Sequence, residues 1–496
     1  MRLNSGIILF LVFLTGTILF TIAGMQILDP DFGWHLQMGR RISSSGLPAT
    51  DPFSYTMPSY PFIDHEWLTN LFIFRIYDAY GYSAVALVFG LLFGLLILII
   101  LTPSNLVFAG LPLLMGLGVL WSRAGVRPQI IDWLFLGLLL KINWTRNNWV
   151  KARWFVPGLF LVWANLHGGF ALGPAILIFV IVIRTFETKR FSVSDFLIWI
   201  ISVLATFVNP YGPRLWHEVW MQITDHNLRL YIAEWQPFWN RPELGLWLLV
   251  AMTAALISKS YQRLEKWKIL LFIVFFAAGL SSLRHMPLLV LVSIIFTSDL
   301  SQKIYAQIKP DPLALMRAKQ FYRLLYAISC LVLLAEVGVG LWRNSKGYGI
   351  LYPQKAVTYL TAHPVSGQLF SDYGWGGYLI WNYPQKKVFI DGRMPSFRWE
   401  APLGESDWAF NDYREISDKA NFSWYFAKYN ISTVLWPVNR ITTQGNAPFL
   451  NLIRFFPWIN KPSDSVDFLK KLEESGWQRT YEDEIAVVYQ APGEVK

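Results

Sequence analysis

Two stretches decide how this chain is read: Met25-Gln-Ile-Leu-Asp-Pro-Asp-Phe-Gly-Trp-His-Leu and Pro61-Phe-Ile-Asp-His-Glu-Trp-Leu. Both lie in one polar island, residues 25–82, which follows a single apolar segment and precedes a long series of others. The island holds Asp29, Asp31, His35, Asp64, His65 and Glu66. Carboxylates beside a bilayer are costly to desolvate and seldom structural, which marks the island as a candidate site. Asp-Pro also starts turns, and Asp51-Pro52 is read that way. Turn chemistry does not account for Asp29 and Asp31 together with His35 and His65-Glu66.

Composition sets the class. The chain has 496 residues, 54% hydrophobic, 17% aromatic and only 15% charged, with a mean hydropathy of +0.35. That excludes an ordinary soluble protein and predicts a polytopic α-helical membrane protein. One cysteine, Cys330, sits in an apolar run, so there is no disulfide framework and no cysteine metal site. The net charge of +10 does not indicate nucleic acid, because the charges lie in short loops between apolar segments. The first apolar segment, 6–23, is long for a signal-peptide core and lacks a small-residue cleavage site; it is read as a retained transmembrane helix.

Apolar stretches fall near 6–23, 83–101, 104–121, 128–143, 153–165, 169–184, 194–208, 243–258, 267–283, 286–298 and 322–341, which predicts about 11 transmembrane helices. Several are shorter than the ~20 residues that cross hydrocarbon, so their ends are open. The positive-inside rule orients them. With the N-terminus cytoplasmic, the cytoplasmic loops are 102–103, 141–153, 184–193, 259–268 and 299–323, and the last four are basic. The other side receives the 25–82 loop, Trp121-Ser-Arg-Ala-Gly-Val-Arg-Pro, Asn165-Leu-His-Gly-Gly, the 209–242 loop, Ser282-Leu-Arg-His-Met and everything after 341. The expected organisation is a transmembrane domain, 1–341, and an extracytoplasmic α/β domain, 342–496.

In that second domain, Pro353 opens a predicted helix, and β-rich runs follow at Gln368–Ser371, Tyr378–Trp381, Lys387–Asp391 and Thr433–Trp436. Helical patterns lie near 414–429 and 464–475. Two loops at the ends of predicted strands are candidate ligand loops, one with Asp372 and Tyr373, the other with Asp391 and Arg393.

At the membrane edge, Arg123, Arg127 and Arg284 could each bind an anionic headgroup, since arginine matches phosphate by bidentate hydrogen bonds. The alternative is that they snorkel to the interface. Arg284-His285 is the stronger candidate, because basic residues are disfavoured on this side. His167 beside Gly168 and Gly169 allows close approach of a backbone or ligand, or a packing kink between spans. Trp34, Trp67, Trp163, Trp216, Trp235 and Trp239 could serve as sugar platforms, although interfacial tryptophan belts are the default.

A first outer loop with an acidic pair, a polytopic core and a C-terminal α/β domain on the same side resemble the GT-C glycosyltransferases, membrane enzymes that use polyprenyl-linked sugars. The stretch from Asp29 through Gly46-Leu-Pro-Ala-Thr-Asp-Pro-Phe-Ser-Tyr is similar to the corresponding loop of many bacterial members. Asp372-Tyr-Gly also resembles the WWDYG motif of oligosaccharyltransferase catalytic subunits, with Phe370-Ser371 in place of its two tryptophans.

The resemblance implies a glycosyltransferase in the cytoplasmic (plasma) membrane, active in cell-envelope glycan biosynthesis. It would move a sugar from a polyprenyl-phosphate donor to a lipid, polysaccharide or protein acceptor on the outer face. It places the catalytic carboxylate at Asp29 or Asp31, with Asp31 favoured, acting as the base in an inverting transfer. Substrate contacts would come from Arg284, His285, Arg123, Arg127, His65, Glu66, His35, His167, Asp372, Tyr373, Asp391 and Arg393. No cofactor is assigned; Asp29 or Asp31 with His65 or Glu66 could hold a divalent metal, Mg or Mn, because carboxylate oxygens suit hard cations. Other expectations are transfer of a whole glycan from a lipid diphosphate, or a non-enzymatic transporter; membrane lipids are partners and nucleic acid is not.

Overall fold

Hydrocarbon leaves no water to satisfy backbone N–H and C=O groups, so an apolar stretch must fold as a helix. The computed structural model describes residues 5–238, 243–307, 312–345, 352–438 and 468–493, and each apolar stretch falls on helix there. Trp239 and the start of the predicted 464–475 helix lie outside the described residues. Five helical stretches are long and apolar enough to cross a membrane: Ser5–Gln26, Trp67–Ile100, Gly168–Thr188, Leu244–Arg263 and Leu283–Ala306. The expected eleven full spans are therefore not established. Leu106–Trp121, with 16 residues, covers only about 24 Å of a ~30 Å core.

The chain divides into two compact units, Met1–Asp29 with Ile63–Arg343, and Pro30–Phe62 with Asn344–Lys496. The second boundary lies near the expected 341/342. The 25–82 loop, expected as part of the membrane domain, is itself split: 30–62 groups with the C-terminal residues.

In the membrane unit, the 34-residue helix Trp67–Ile100 is broken at Gly81, whose φ of 77° favours glycine. Its second half is the span expected at 83–101. That half packs on Ser5–Gln26 through small residues. A Cβ at Gly90 would lie 2.1 Å from Thr21 Oγ1, and one at Gly94 2.2 Å from Thr17 Oγ1. Phe20 and Phe93 stack with centroids 4.6 Å apart, and Tyr82 Oη donates to the Gly24 carbonyl at 2.7 Å. Small residues four apart are how helices approach closely where lipid removes the hydrophobic drive.

The sheet unit holds four strands, β1 (Gln368–Ser371), β2 (Ile431–Pro437), β3 (Gln478–Glu482) and β4 (Ala486–Gln490), in the order β1-β2-β4-β3. β1 and β2 run parallel; β2–β4 and β4–β3 are antiparallel. β1 and β2 match two of the expected strands. Tyr378–Trp381 corrects to helix, Gly376–Asn382. Its aromatic composition suggested a strand, but Asp372 turns the chain first by accepting from Gly374 N at 2.9 Å. Lys387–Asp391 is not a strand either; Val388 makes one isolated parallel bridge to Ser54. The 414–429 pattern is two short helices, Ala409–Ser417 and Ser423–Tyr429.

Segment 30–62 is built into this unit. Helix Phe32–Ser45 crosses Gly376–Asn382 at two glycines: a Cβ at Gly33 would lie 1.9 Å from Gly377 O, and one at Gly377 2.1 Å from Pro30 O. Beyond it, Thr56 Oγ1 donates to Phe389 O at 2.7 Å, and Tyr60 stacks on Phe397 at 4.1 Å.

Gly94→Leu forces the first two spans apart and should lower the Tm of the detergent-purified protein by several degrees. Gly158→Ala, where an added Cβ meets nothing within 4 Å, should leave it unchanged. Equal thermal shifts in the two variants would contradict close glycine packing.

Candidate active site

In the membrane unit the site begins with a turn. Asp64 Oδ1 accepts from the Glu66 backbone N–H at 3.0 Å, and Asn70 Nδ2 donates to both Asp64 oxygens at 3.0 and 2.8 Å. This fixes His65 and Glu66 at the N-terminal end of the helix that starts at Trp67, where the helix dipole favours negative charge. The helix ending at Leu166 is tied on by Thr69 Oγ1, which donates to Leu166 O at 2.6 Å, and by Trp67 Nε1, which donates to Asn165 Oδ1 at 3.1 Å.

Glu66 then lies between two histidines. His65 Nε2 is 3.3 Å from Glu66 Oε1, and His167 Nε2 is 3.1 Å from the same oxygen. The second is an ion-pair contact rather than an aligned hydrogen bond. On the far side of the His167 ring, Nδ1 is 2.7 Å from Asp132 Oδ2, and Trp163 Nε1 donates to Asp132 Oδ1 at 2.8 Å. The sequence His167-Gly-Gly permits this. A Cβ at Gly168 would sit 2.7 Å from the His65 ring, and one at Gly169 would sit 2.1 Å from Asp132 Oδ2. The glycine pair gives the kink between helices and lets the His65 and Asp132 side chains approach closely.

His167 is 1% exposed, and burial disfavours its charge. Asp132 and Glu66 more than offset this and raise it to about 9. His65 is shifted upward too: burial opposes its charge and Glu66 outweighs burial. The chain His65–Glu66–His167–Asp132 thus alternates imidazole and carboxylate, each carboxylate favouring the protonated form of the histidine beside it. Asp132 was not among the expected site residues. A lone carboxylate in the first turn of an otherwise apolar helix, Gln129–Asn143, was the available signal.

The same helix end carries a second cluster. Arg127 Nε pairs with Asp29 Oδ2, and Arg127 Nη1 is 3.2 Å from Glu234 Oε1. Ser282 Oγ donates to Glu234 O at 3.1 Å, and Leu283 N donates to Gln236 O at 2.9 Å, which joins the turn before Arg284 to the turn holding Trp235. Arg123 pairs with Glu243 at 2.9 Å. Arg284 differs. Its guanidinium lies 5.2 Å from the Trp235 ring centre, and among the described residues it has no ion pair with a carboxylate. His285 meets the same ring edge-on at 6.0 Å, and its Nδ1 is buried without a hydrogen-bond partner among the described residues.

In the sheet unit the candidates fall otherwise. Asp31 sits at the N-terminus of helix Phe32–Ser45, accepting from His35 N through its carbonyl at 3.1 Å. A Cβ at Gly392 would lie 2.0 Å from Asp31 Oδ1, so only a glycine there admits this carboxylate. His35 is buried at 4% exposure. Arg393 is enclosed: Nε and Nη2 donate to Asp391 Oδ1 and Oδ2 at 2.8 and 2.6 Å, and Nη1 donates to Asp51 Oδ1 at 2.7 Å. Burial opposes its charge, but the two carboxylates push its pKa further up. Phe53 and Phe62 flank the guanidinium at 4.9 and 5.1 Å. Asp51, read as a turn residue, is one, accepting from Ser54 N at 2.9 Å, and is also this arginine's partner. Asp372 caps its turn and accepts from Tyr413 Oη at 3.4 Å, and the Tyr373 ring meets Phe410 at 5.6 Å.

As for a metal, no group of three or more His, Cys, Asp or Glu side chains among the described residues has the geometry to hold one. Asp29 is engaged by Arg127, and Glu66 by two histidines.

No family model and no curated protein matches this sequence. Twelve solved chains match in structure. One is the crystal structure of the Archaeoglobus fulgidus oligosaccharyltransferase in the apo form, with a TM-score of 0.54 and 12% identity over 86% of this chain and 69% of that one. The likeness shows the fold: this chain is folded like that oligosaccharyltransferase over most of its length.

Two outcomes check this geometry. His167 is charged in the folded protein up to about pH 9, against an ordinary 6.5. Its ion pairs therefore stabilise fully below about 6.5 and are lost as pH rises through 9. Wild-type Tm should fall across that window, and Asp132→Asn should flatten the fall. Separately, Arg393→Met leaves two buried carboxylates unpaired and should cost about 3–5 kcal/mol in urea unfolding.

Proposed function

We propose that this protein is a membrane glycosyltransferase. In the finer reading it transfers a sugar from a polyprenyl-phosphate donor to an acceptor on the outer face of the plasma membrane, with inversion. The GT-C-like fold supports the class. The single observation that carries the donor is Arg284, a membrane-edge cation on a tryptophan face with no carboxylate partner among the described residues. A lipid phosphate leaves as an anion, and a guanidinium already in place stabilises that charge as it develops. Tryptophan beneath it suits a sugar ring.

In this reaction the acceptor hydroxyl oxygen bonds to the anomeric carbon as the bond from that carbon to the phosphate oxygen breaks. The hydroxyl proton passes to a carboxylate acting as general base. Asp31 is the favoured base, with Asp29 second. Transfer of a whole glycan from a lipid diphosphate is the second reading, favoured by the oligosaccharyltransferase among the structural matches.

Purified protein given a labelled polyprenyl-phosphate sugar should transfer label. Arg284→Ala should lower the rate roughly 10²- to 10³-fold, the usual cost of one charge-stabilising donor, with unchanged Tm. Asp31→Ala should abolish transfer, and a chelator should leave it intact. Loss with chelator moves the assignment to a metal-assisted, diphosphate-donor enzyme; no transfer from any donor, by folded protein, favours a transporter.

A further inference from the structure

The opposite end of the helix bundle holds a pocket that the transfer reaction does not use. It is a cavity of about 180 Å³ lined by Lys259, Ser260, Arg263, Leu264, Leu300, Lys303 and Ile304. Lys259 and Ser260 end the helix Leu244–Ser260, and Arg263 closes the 3-10 turn that follows. Leu300, Lys303 and Ile304 stand three and four residues apart on Met286–Gln307 and so share one face of that helix. No acidic residue lines the pocket. Lys303 is held by Asp299 at 2.9 Å on its own helix, and Lys259 has no ion pair among the described residues.

Three cations gathered at helix C-termini need an explanation, and the helix dipole supplies part of one, because cations are favoured there. That accounts for charge but not for a cavity with an apolar wall. The volume, on the order of six waters at ~30 Å³ each, exceeds a simple ion's need. Leu264, Leu300 and Ile304 would line the side where an acyl chain or glycerol backbone lies.

We infer that this pocket binds the phosphate headgroup of an anionic membrane lipid. The loop that carries it, 259–268, is on the side the positive-inside rule gives to the cytoplasm, where anionic lipids concentrate and basic pockets between helices hold their headgroups. Lys259 and Arg263 bind the phosphate oxygens, Ser260 Oγ donates a further hydrogen bond, and the three aliphatic side chains meet the lipid's apolar part. The inference stands whether or not the chain is a glycosyltransferase.

The test is native mass spectrometry of the full chain in detergent, titrated with dioleoyl-phosphatidylglycerol, dioleoyl-phosphatidylcholine or inorganic phosphate. The anionic lipid should be retained in preference to the zwitterionic one and should raise Tm. Lys259→Gln/Arg263→Gln should weaken retention about tenfold, and Lys189→Gln/Arg190→Gln, basic residues elsewhere at the same end, should not. If the first double variant fails to fold, Lys259→Gln alone carries the comparison, with Lys259→Arg restoring binding. Equal retention of both lipids, or equal loss in both double variants, would overturn the site. Displacement of the lipid by millimolar inorganic phosphate would reassign it to a soluble anion.

Discussion

Glu66 cannot sit beside a bilayer without a counter-charge, and the membrane unit is arranged at one end to supply it. Two histidines face it, and Asp132 faces the other nitrogen of the second, so that Glu66 and Asp132 together favour the charged form of His167. That demand reaches into three helices. Asp132 must project from the first turn of its own helix, and His167 must follow the end of another. The chain after it must be Gly168-Gly169, because any side chain would strike His65 or Asp132. What reads locally as a flexible dipeptide is thus a steric requirement of one ion pair.

The sheet unit meets the same cost with the opposite arrangement. There the cation is central and the carboxylates flank it, Asp391 from the same loop and Asp51 from far up the chain. A buried ion left alone is strongly unfavourable, whereas a hydrogen-bonded triad is tolerable. Arg393 therefore pins residues 51–54 to the loop after Val388, and the aromatic rings around it exclude water. This explains how a segment with no strand of its own becomes part of a sheet-containing unit.

Much of this was legible beforehand, for a physical reason. Hydropathy and loop charge act over whole segments, so helices and the shared end of the loops around Asp29, Arg127, His167 and Arg284 could be read from composition. The division of the first loop could not. Asp29 and Asp31 are two residues apart yet belong to different compact units, and the pairing of Asp51 with Arg393 spans 342 residues. No periodicity carries such a contact. Asp132 left a signal, a single acid in an apolar run, but it was hidden by being counted within a span. Tyr378–Trp381 misled because aromatic residues suit strands, while the deciding factor was the capping oxygen of Asp372 upstream.

The paired arginines also narrow the functional question. Arg123, Arg127 and Arg393 each face a carboxylate, so their charge is already neutralised by the fold. An anion arriving at any of them would have to compete with an acid held in place and would leave that acid exposed to its own desolvation cost. Arg284 carries no such obligation among the described residues; it rests on Trp235, a face that strengthens its hold on position without cancelling its charge.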